Sequence, residues 1–206
     1  MYFLRMRRIA LTGGIACGKS LFCEGLKEEG IAVLDADDVT HRLEACGGAA
    51  VEPLVRIFGK EILAEDGSID RKRLGKKVFS SKEARSAVNA VLHPLVKAEI
   101  ARWVSEEIPG EDRIRVAVIP LLFECGWEDD WDTILCLTSS EENQVKRLMQ
   151  TRGHSETEAR QRIASQMSVA EKAARSQLVI HNDADKDSLR EAAKRTADAL
   201  RAGSYA

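Results

Sequence analysis

Eight consecutive residues, Gly13-Gly14-Ile15-Ala16-Cys17-Gly18-Lys19-Ser20, have the types and spacing of a polyphosphate cradle, G-x-x-x-x-G-K-[ST]. Glycines let the backbone curl so that its N–H groups point inward at an anion. A helix starting here adds the positive end of its dipole. Lys19 can reach the β- and γ-phosphates of a nucleotide, and the Ser20 hydroxyl can ligate Mg²⁺. Cys17 lies inside the loop, where a small residue that merely fits is favoured over a reactive thiol.

A second set of groups follows. Asp35-Ala36-Asp37-Asp38 comes directly after an apolar run, where a parallel sheet presents its ligand-binding edge. Transfer of a phosphoryl group to a hydroxyl needs a group that orients the nucleophile or takes its proton. Asp37 is the first choice for that role and Asp35 the second, while Asp38 reads as the cap of the next helix. Leu121 and Glu124, in Pro120-Leu121-Leu122-Phe123-Glu124, offer an apolar patch with a carboxylate for an acceptor pocket. For Leu121 and Leu122 plain core is the favoured reading. His93, before Pro94, lies at a helix interruption. Arg147 and Arg152 flank the break at Gly153-His154, where a basic lid would turn to neutralise transferring phosphate and exclude water.

These groups need a frame. Short apolar runs at 8–12, 31–35, 114–119, 132–137 and 177–180 read as strands with both faces covered, separated by helical segments, which is βαβ alternation. The runs on either side of the cradle are a strand and a helix, the latter stopped by Gly30 at its C′ position. Residues 38–110 show no obvious strand, carry a turn at Glu65-Asp66-Gly67-Ser68, and read as a helical insert. Ser81 to Ile108 is one helical stretch that Pro94 should kink or divide, closed by Pro109-Gly110. Residues 140–175 form a second helical block, with an N-cap region at Ser140 and a capping box from Ser155 to Glu158. A final amphipathic helix spans 187–201, and the last residues read as a frayed tail.

Composition narrows the class. The 206 residues are 44% hydrophobic and 31% charged, with a net charge of -2, so a full core is available and nothing points to nucleic acid or a membrane surface. No apolar run is long enough to span a bilayer. The N-terminal residues do not read as a signal peptide, and Met6 competes with Met1 as the start. Five scattered cysteines without a C-x-x-C pair argue against a zinc site or a disulfide framework. A cytoplasmic protein, monomeric or weakly self-associating, is the expectation.

Taken in order along the chain, the motifs resemble the dephospho-CoA kinase family. Leu11 to Ser20 resembles that family's phosphate loop, Asp35-Ala36-Asp37 its acidic motif, and Ile69-Asp70-Arg71 with Leu74 and Val78-Phe79 a stretch of its helical insert. His93-Pro94-Leu95 and Pro120 to Glu124 resemble two further signatures. Arg147-Leu148, Arg152-Gly153, Glu158 to Ile163 and Gln166 follow its lid pattern, and Val179-Ile180-His181-Asn182 its adenine-side loop. The resemblance implies an α/β fold: a three-layer P-loop kinase core with a five-stranded parallel sheet (about 6–37, 111–139 and 176–206), a helical CoA-binding insert (about 38–110) and a helical lid (about 140–175). It implies transfer from ATP, with Mg²⁺, to the 3′-hydroxyl of dephospho-CoA. Gly13 through Leu21 would hold ATP, joined by Arg147, Arg152 and Asn182. Asp37 would be the base, or act through Mg²⁺, while Asp35, Arg71, His93, Leu121 and Glu124 would serve the acceptor. Three positions depart from the family: Leu21 in place of threonine, Val118 in place of aspartate, and His41, beside Arg42, in place of arginine.

Two other readings stand beside this one. The chain could phosphorylate another small acceptor, such as a nucleoside monophosphate, although the His93-Pro94 and Pro120–Glu124 signatures argue against it. It could also be a non-catalytic ATP-binding module, against which Lys19, Ser20 and Asp37 speak. A GTPase is disfavoured by the lack of an N-K-x-D motif.

Overall fold

The computed structural model describes residues 7–79, 81–106 and 114–203. The alternative starts Met1 and Met6, the Pro109-Gly110 helix stop and the tail beyond Gly203 lie outside the described residues, as do the expected boundaries near 6 and 110.

All five apolar runs become strands: β1 (Arg7–Gly13), β2 (Ala32–Asp35), β3 (Ile114–Val118), β4 (Thr133–Thr138) and β5 (Leu178–His181). They form one sheet in the order β2-β3-β1-β4-β5. β1 is central. Its Leu11 registers in parallel with Val118 on β3 and with Leu135 on β4, and Leu137 of β4 registers with Ile180 of β5. Parallel neighbours require long crossovers, and helices supply them.

Side-chain alternation fixes what each face carries. Ile9 and Leu11, Val116 and Val118, and Leu135 and Leu137 join Phe22 and Leu26 of α1 (Lys19–Glu28) in one buried cluster. Leu189, Ala193 and Leu200 of α9 (Lys186–Ala202) complete it. The intervening strand residues point the other way, where α8 (Val169–Ala174) packs against β1 and β4. α1 stops where Gly30 takes a φ of 79°. Its N–H donates to Lys27 O, the Ile31 N–H donates to Leu26 O, and Ile31 and Leu26 share the core, so a Schellman motif turns the chain straight into β2.

The chain clusters into two compact units, Met1–Leu34 with Glu107–Ala206, and Asp35–Glu106. The first break thus falls before Asp35, three residues earlier than the sequence boundary at 38. The first unit contains the sheet and also the 140–175 block, which folds as α6 (Glu141–Arg152), α7 (Glu156–Ala164) and α8. Ser140 caps α6 and Ser155 begins a capping box with Glu158, both as expected. A second capping box, Ser168 with Glu171, starts α8.

The second unit holds α2 (Ala36–Glu44), α3 (Val51–Phe58), α4 (Arg71–Phe79) and α5 (Lys82–Ser105). An isolated antiparallel bridge, Leu63 to Ile69, spans the expected turn at 65–68, where Asp66 accepts the Ser68 N–H. α5 narrows one expectation: of the kink or division expected at Pro94, the division is absent. A proline inside a helix costs about 3 kcal/mol and one backbone bond. Val88, Val96, Ile100 and Val104 form one buried stripe through the proline, and α2, α3 and α4 all pack on this helix. Burial along that stripe outweighs the lost bond.

Candidate active site

The phosphate loop is built by a strand that stops abruptly. Gly13 ends β1 with a φ of +143°, and a Cβ there would stand 2.2 Å from the Leu137 carbonyl oxygen. Only glycine lets the chain leave β1 so close to β4. Ala16 then adopts a left-handed φ of 58°, and Gly18, at +95°, begins α1 as an N-cap with no side-chain cap. The first-turn N–H groups of α1 therefore face the loop rather than a capping oxygen. The Ser20 hydroxyl is exposed on that first turn. Lys19 Nζ donates to the carbonyls of Gly13 at 2.9 Å and Gly14 at 2.8 Å.

The outside of the loop is gripped by three side chains from distant elements. Gln144 Nε2 donates to Ile15 O at 2.7 Å, Arg147 Nη1 to Ala16 O at 3.2 Å, and Asn182 Nδ2 to Cys17 O at 2.8 Å. Three successive carbonyls are thus drawn away from the concave side. A trans peptide points its N–H opposite to its C=O, so the N–H groups of Ala16 and Gly18 turn inward. The Cys17 N–H closes the loop on Gly14 O. Gln166 Oε1 accepts the Ile15 N–H at 3.2 Å.

The grip is itself braced. Arg147 also donates to Ser139 Oγ and to Asn182 O, and the single proton of Ser139 Oγ has two acceptors within reach, Asn182 O and Asp183 Oδ1, each at 2.9 Å. Asp183 accepts further bonds from the Ser140 N–H and Asn143 Nδ2. Donation to its charged form, chiefly from the Ser140 N–H, holds the Asp183 carboxyl well below the usual carboxylate range. Cys17 is fully buried. Burial pushes its thiol up, against the pull of Lys19, so it stays protonated and fills space. Beside this network a cleft of about 750 Å³ opens among Ser139, Gln144, Arg160, Gln166, Met167 and Val169.

The remaining expected residues of this unit differ in exposure. Leu121 is exposed, whereas Leu122 is core. Arg152 is exposed in the last turn of α6. Glu124 Oε1 pairs with Lys172 Nζ at 2.8 Å and accepts the Met167 N–H at 3.0 Å. Leu21 packs against the main core and Val118 lies buried in it, so both departures add apolar contact.

The other expected residues lie in the unit Asp35–Glu106. Asp35 caps α2 by accepting the Asp37 N–H at 2.8 Å, a role the sequence reading gave to Asp38. The cap must precede the first helical residue, and α2 begins at Ala36. Asp37 and His41 are exposed on α2. Arg71 Nε donates to Glu44 Oε2 at 2.7 Å, a carboxylate whose side chain is only 7% exposed. His93 is half-buried on α5, and burial pushes its pKa below the ordinary value, which keeps it neutral.

Ser139, Lys172 and Asp183 are not singled out by the sequence, and Gln144 reads there only as part of the N-cap region with Ser140 and Asn143. Each acts on backbone far away in the chain, and spacing carries no signal for that. Gln166 was noticed only as part of the lid pattern.

No helix among the described residues is long and apolar enough to cross a membrane. A family model described as dephospho-CoA kinase matches residues 7–188. A protein of Symbiobacterium thermophilum named dephospho-CoA kinase is 43% identical over 186 residues, 90% of this chain and 77% of its own length. Among solved structures, a Thermus thermophilus protein superposes with a TM-score of 0.81 at 33% identity, covering 95% of this chain and 98% of its own. Dephospho-CoA kinase from Campylobacter jejuni superposes with a TM-score of 0.73 at 28% identity, covering 95% and 97%.

Proposed function

The chain belongs to the dephospho-CoA kinase family, and from that premise we propose that it transfers the γ-phosphoryl group of ATP to the 3′-hydroxyl of dephospho-CoA, giving coenzyme A and ADP. The observation that carries the nucleotide half is the outward grip on the Ile15, Ala16 and Cys17 carbonyls. It presets the inward N–H groups, so little reorganisation accompanies phosphate binding.

Gly13 through Leu21 then hold the ATP phosphates, with Lys19 as the mobile cation of the loop and Arg147, Arg152 and Asn182 on the nucleotide side. The described residues contain no cluster of three His, Cys, Asp or Glu able to cage a metal. The exposed Ser20 hydroxyl on the first turn of α1 is a hard oxygen ligand that fits Mg²⁺, an ion that usually arrives on phosphates and keeps waters. When bound, Mg²⁺ neutralises charge on the β- and γ-phosphates. Asp37 orients the acceptor hydroxyl or takes its proton as the new O–P bond forms. Asp35, Arg71, His93 and Leu121 serve acceptor binding, the arginine by charge and Leu121 by apolar surface. Most of the rate then comes from positioning and charge neutralisation.

The test is ADP release from Mg·ATP with dephospho-CoA, beside AMP, CMP and pantothenate as acceptors, with the product identified by mass. Turnover with dephospho-CoA alone, yielding coenzyme A, is the expected result. Turnover with a nucleotide instead overturns the acceptor assignment, and no turnover by protein that binds Mg·ATP overturns the kinase reading.

A further inference from the structure

A sealed cation ties the exit of β3 to the segment that touches the phosphate loop. Lys172 on α8 is fully buried. Its ammonium donates to Pro120 O at 2.6 Å and pairs with Glu124 Oε1 at 2.8 Å. The same Pro120 carbonyl accepts from Thr12 Oγ1, on the strand that feeds the loop. The same Glu124 oxygen accepts the Met167 N–H. Met167 follows Gln166, whose side chain holds the Ile15 N–H.

The stretch from Gln166 to α8 cannot hold itself in place. α8 has six residues, well below the length at which a helix is stable alone. Its capping box, Ser168 with Glu171, is local and places nothing. Beside its packing on β1 and β4 and the contact of Val169 with the main core, its polar and ring contacts with the rest of the unit run to the 120–128 segment. These are Lys172 on Pro120 and Glu124, Met167 on Glu124, and Arg175 over the Phe123 ring and on Glu128. Glu124 makes two of these, one of them to a charge that is costly to bury unpaired.

We propose that Glu124 and Lys172 act as a positioning pair for the nucleotide: together they set the 166–172 segment, and through Gln166 they set the Ile15 peptide of the phosphate loop. The family resemblance groups Glu124 with the acceptor, whereas its bonds go to Lys172 and Met167, the residue next to the Gln166 that touches the loop. The proposal rests on the reading of Gly13–Ser20 as the ATP site.

The experiment compares Glu124→Gln, Lys172→Met, the double variant and Gln166→Ala in the full chain. Mg·ADP affinity is measured by calorimetry, with KM for ATP and for dephospho-CoA taken separately. Glu124→Gln and Lys172→Met should each weaken Mg·ADP about tenfold, inside the coupling range of residues sharing one network. The double variant should be no worse than the worse single, Gln166→Ala should reproduce the weakening, and KM for dephospho-CoA should move less than about twofold. A rise in KM for dephospho-CoA with Mg·ADP affinity unchanged overturns the proposal, as does additivity of the two substitutions. If Lys172→Met melts at assay temperature, Glu124→Gln and Gln166→Ala carry the comparison alone. Failure of the unaltered chain to bind Mg·ADP overturns the ATP-site reading instead, which separates the two.

Discussion

The two compact units are held together in different ways. In the unit with the sheet, side chains reach across the sequence to backbone atoms: Gln144 to Ile15, Arg147 to Ala16, Asn182 to Cys17, Lys172 to Pro120. In the unit Asp35–Glu106, polar contacts are mostly local. Asp35 caps its own helix, Asp70 accepts from Lys72 and Arg73, and Glu52 pairs with Arg56 one turn on. There the burial of Val88, Val96, Ile100 and Val104 on α5 supplies the cohesion. A site for phosphate has to be stiff, because preset dipoles stabilise developing charge only if they need not reorient. A unit held by an apolar stripe and local caps tolerates adjustment around a larger acceptor. Substitutions should therefore cost fold and nucleotide affinity in the first unit, and chemistry with little loss of fold in the second.

The largest effect expected falls in the second unit. Asp37→Asn keeps the shape of an exposed residue and should leave thermal stability unchanged. It should lower kcat about 10²- to 10⁴-fold, the usual contribution of a general acid or base. Near-normal turnover removes Asp37 from the chemistry. Next is Gly13→Ala, whose Cβ would meet the Leu137 carbonyl at 2.2 Å in a backbone conformation closed to alanine. Chemical denaturation should show a loss of about 3 kcal/mol or more, since neither strand can yield without breaking the sheet. A cost under about 1 kcal/mol would mean that the exit from β1 is softer than the bracing implies.

Asn182→Ala should cost about 1–3 kcal/mol of stability, because the Cys17 carbonyl loses its donor in a buried place. Mg·ADP binding should weaken alongside. If stability falls while affinity stays constant, the grip on the carbonyls is architectural and does not preset the loop. The Asp183 carboxylate sharpens the same point through pH. Its folded pKa lies below the ordinary 3.8, mainly through the Ser140 N–H, so the unfolded chain takes up the proton first as pH falls. The stability it contributes is therefore present above about pH 4 and is lost as pH drops further, through the folded value. Asp183→Asn should be less stable than the unaltered chain at neutral pH, with the two converging in acid. A constant gap from pH 7 to pH 2 would mean that hydrogen-bond geometry, and not charge, does the holding.

The sequence announces the frame of the first unit well and its bracing poorly. All five strands were legible, because runs covered on both faces are continuously apolar; each lies within one or two residues of the expected position. Gly30, Ser140 and Ser155 were legible because their signals are local. The Gly13–Ser20 loop was legible because its glycines and lysine sit at fixed offsets. Of the donors that grip the loop, Arg147 and Asn182 were named through the family resemblance, whereas the grip of Gln144 and the bracing acceptor Asp183 were not legible, since they meet their partners only once β4 and β5 have paired with β1. The local signals were incomplete at Pro94 and at Asp35. At Pro94, where the proline was expected to kink or divide the helix, an apolar stripe keeps it undivided. At Asp35 the right residue type was assigned three positions too late, because helix starts are set by where β2 ends.

The smallest effect tests the second unit from the other side. Gly75 lies in α4 with an ordinary φ, and a Cβ there would meet nothing within 4 Å. An exposed glycine inside a helix costs about 0.5–1 kcal/mol relative to alanine, because the unfolded chain has more freedom to lose. Gly75→Ala should therefore raise stability by that amount, read as a higher denaturation midpoint with an unchanged slope. The contrast with Gly13→Ala is the sharpest form of the comparison, since the same added methyl should act with opposite sign in the two units. A destabilising Gly75→Ala would show that α4 is constrained by contacts beyond its local ones. A neutral result accompanied by a changed KM for dephospho-CoA would show instead that its surface meets the acceptor.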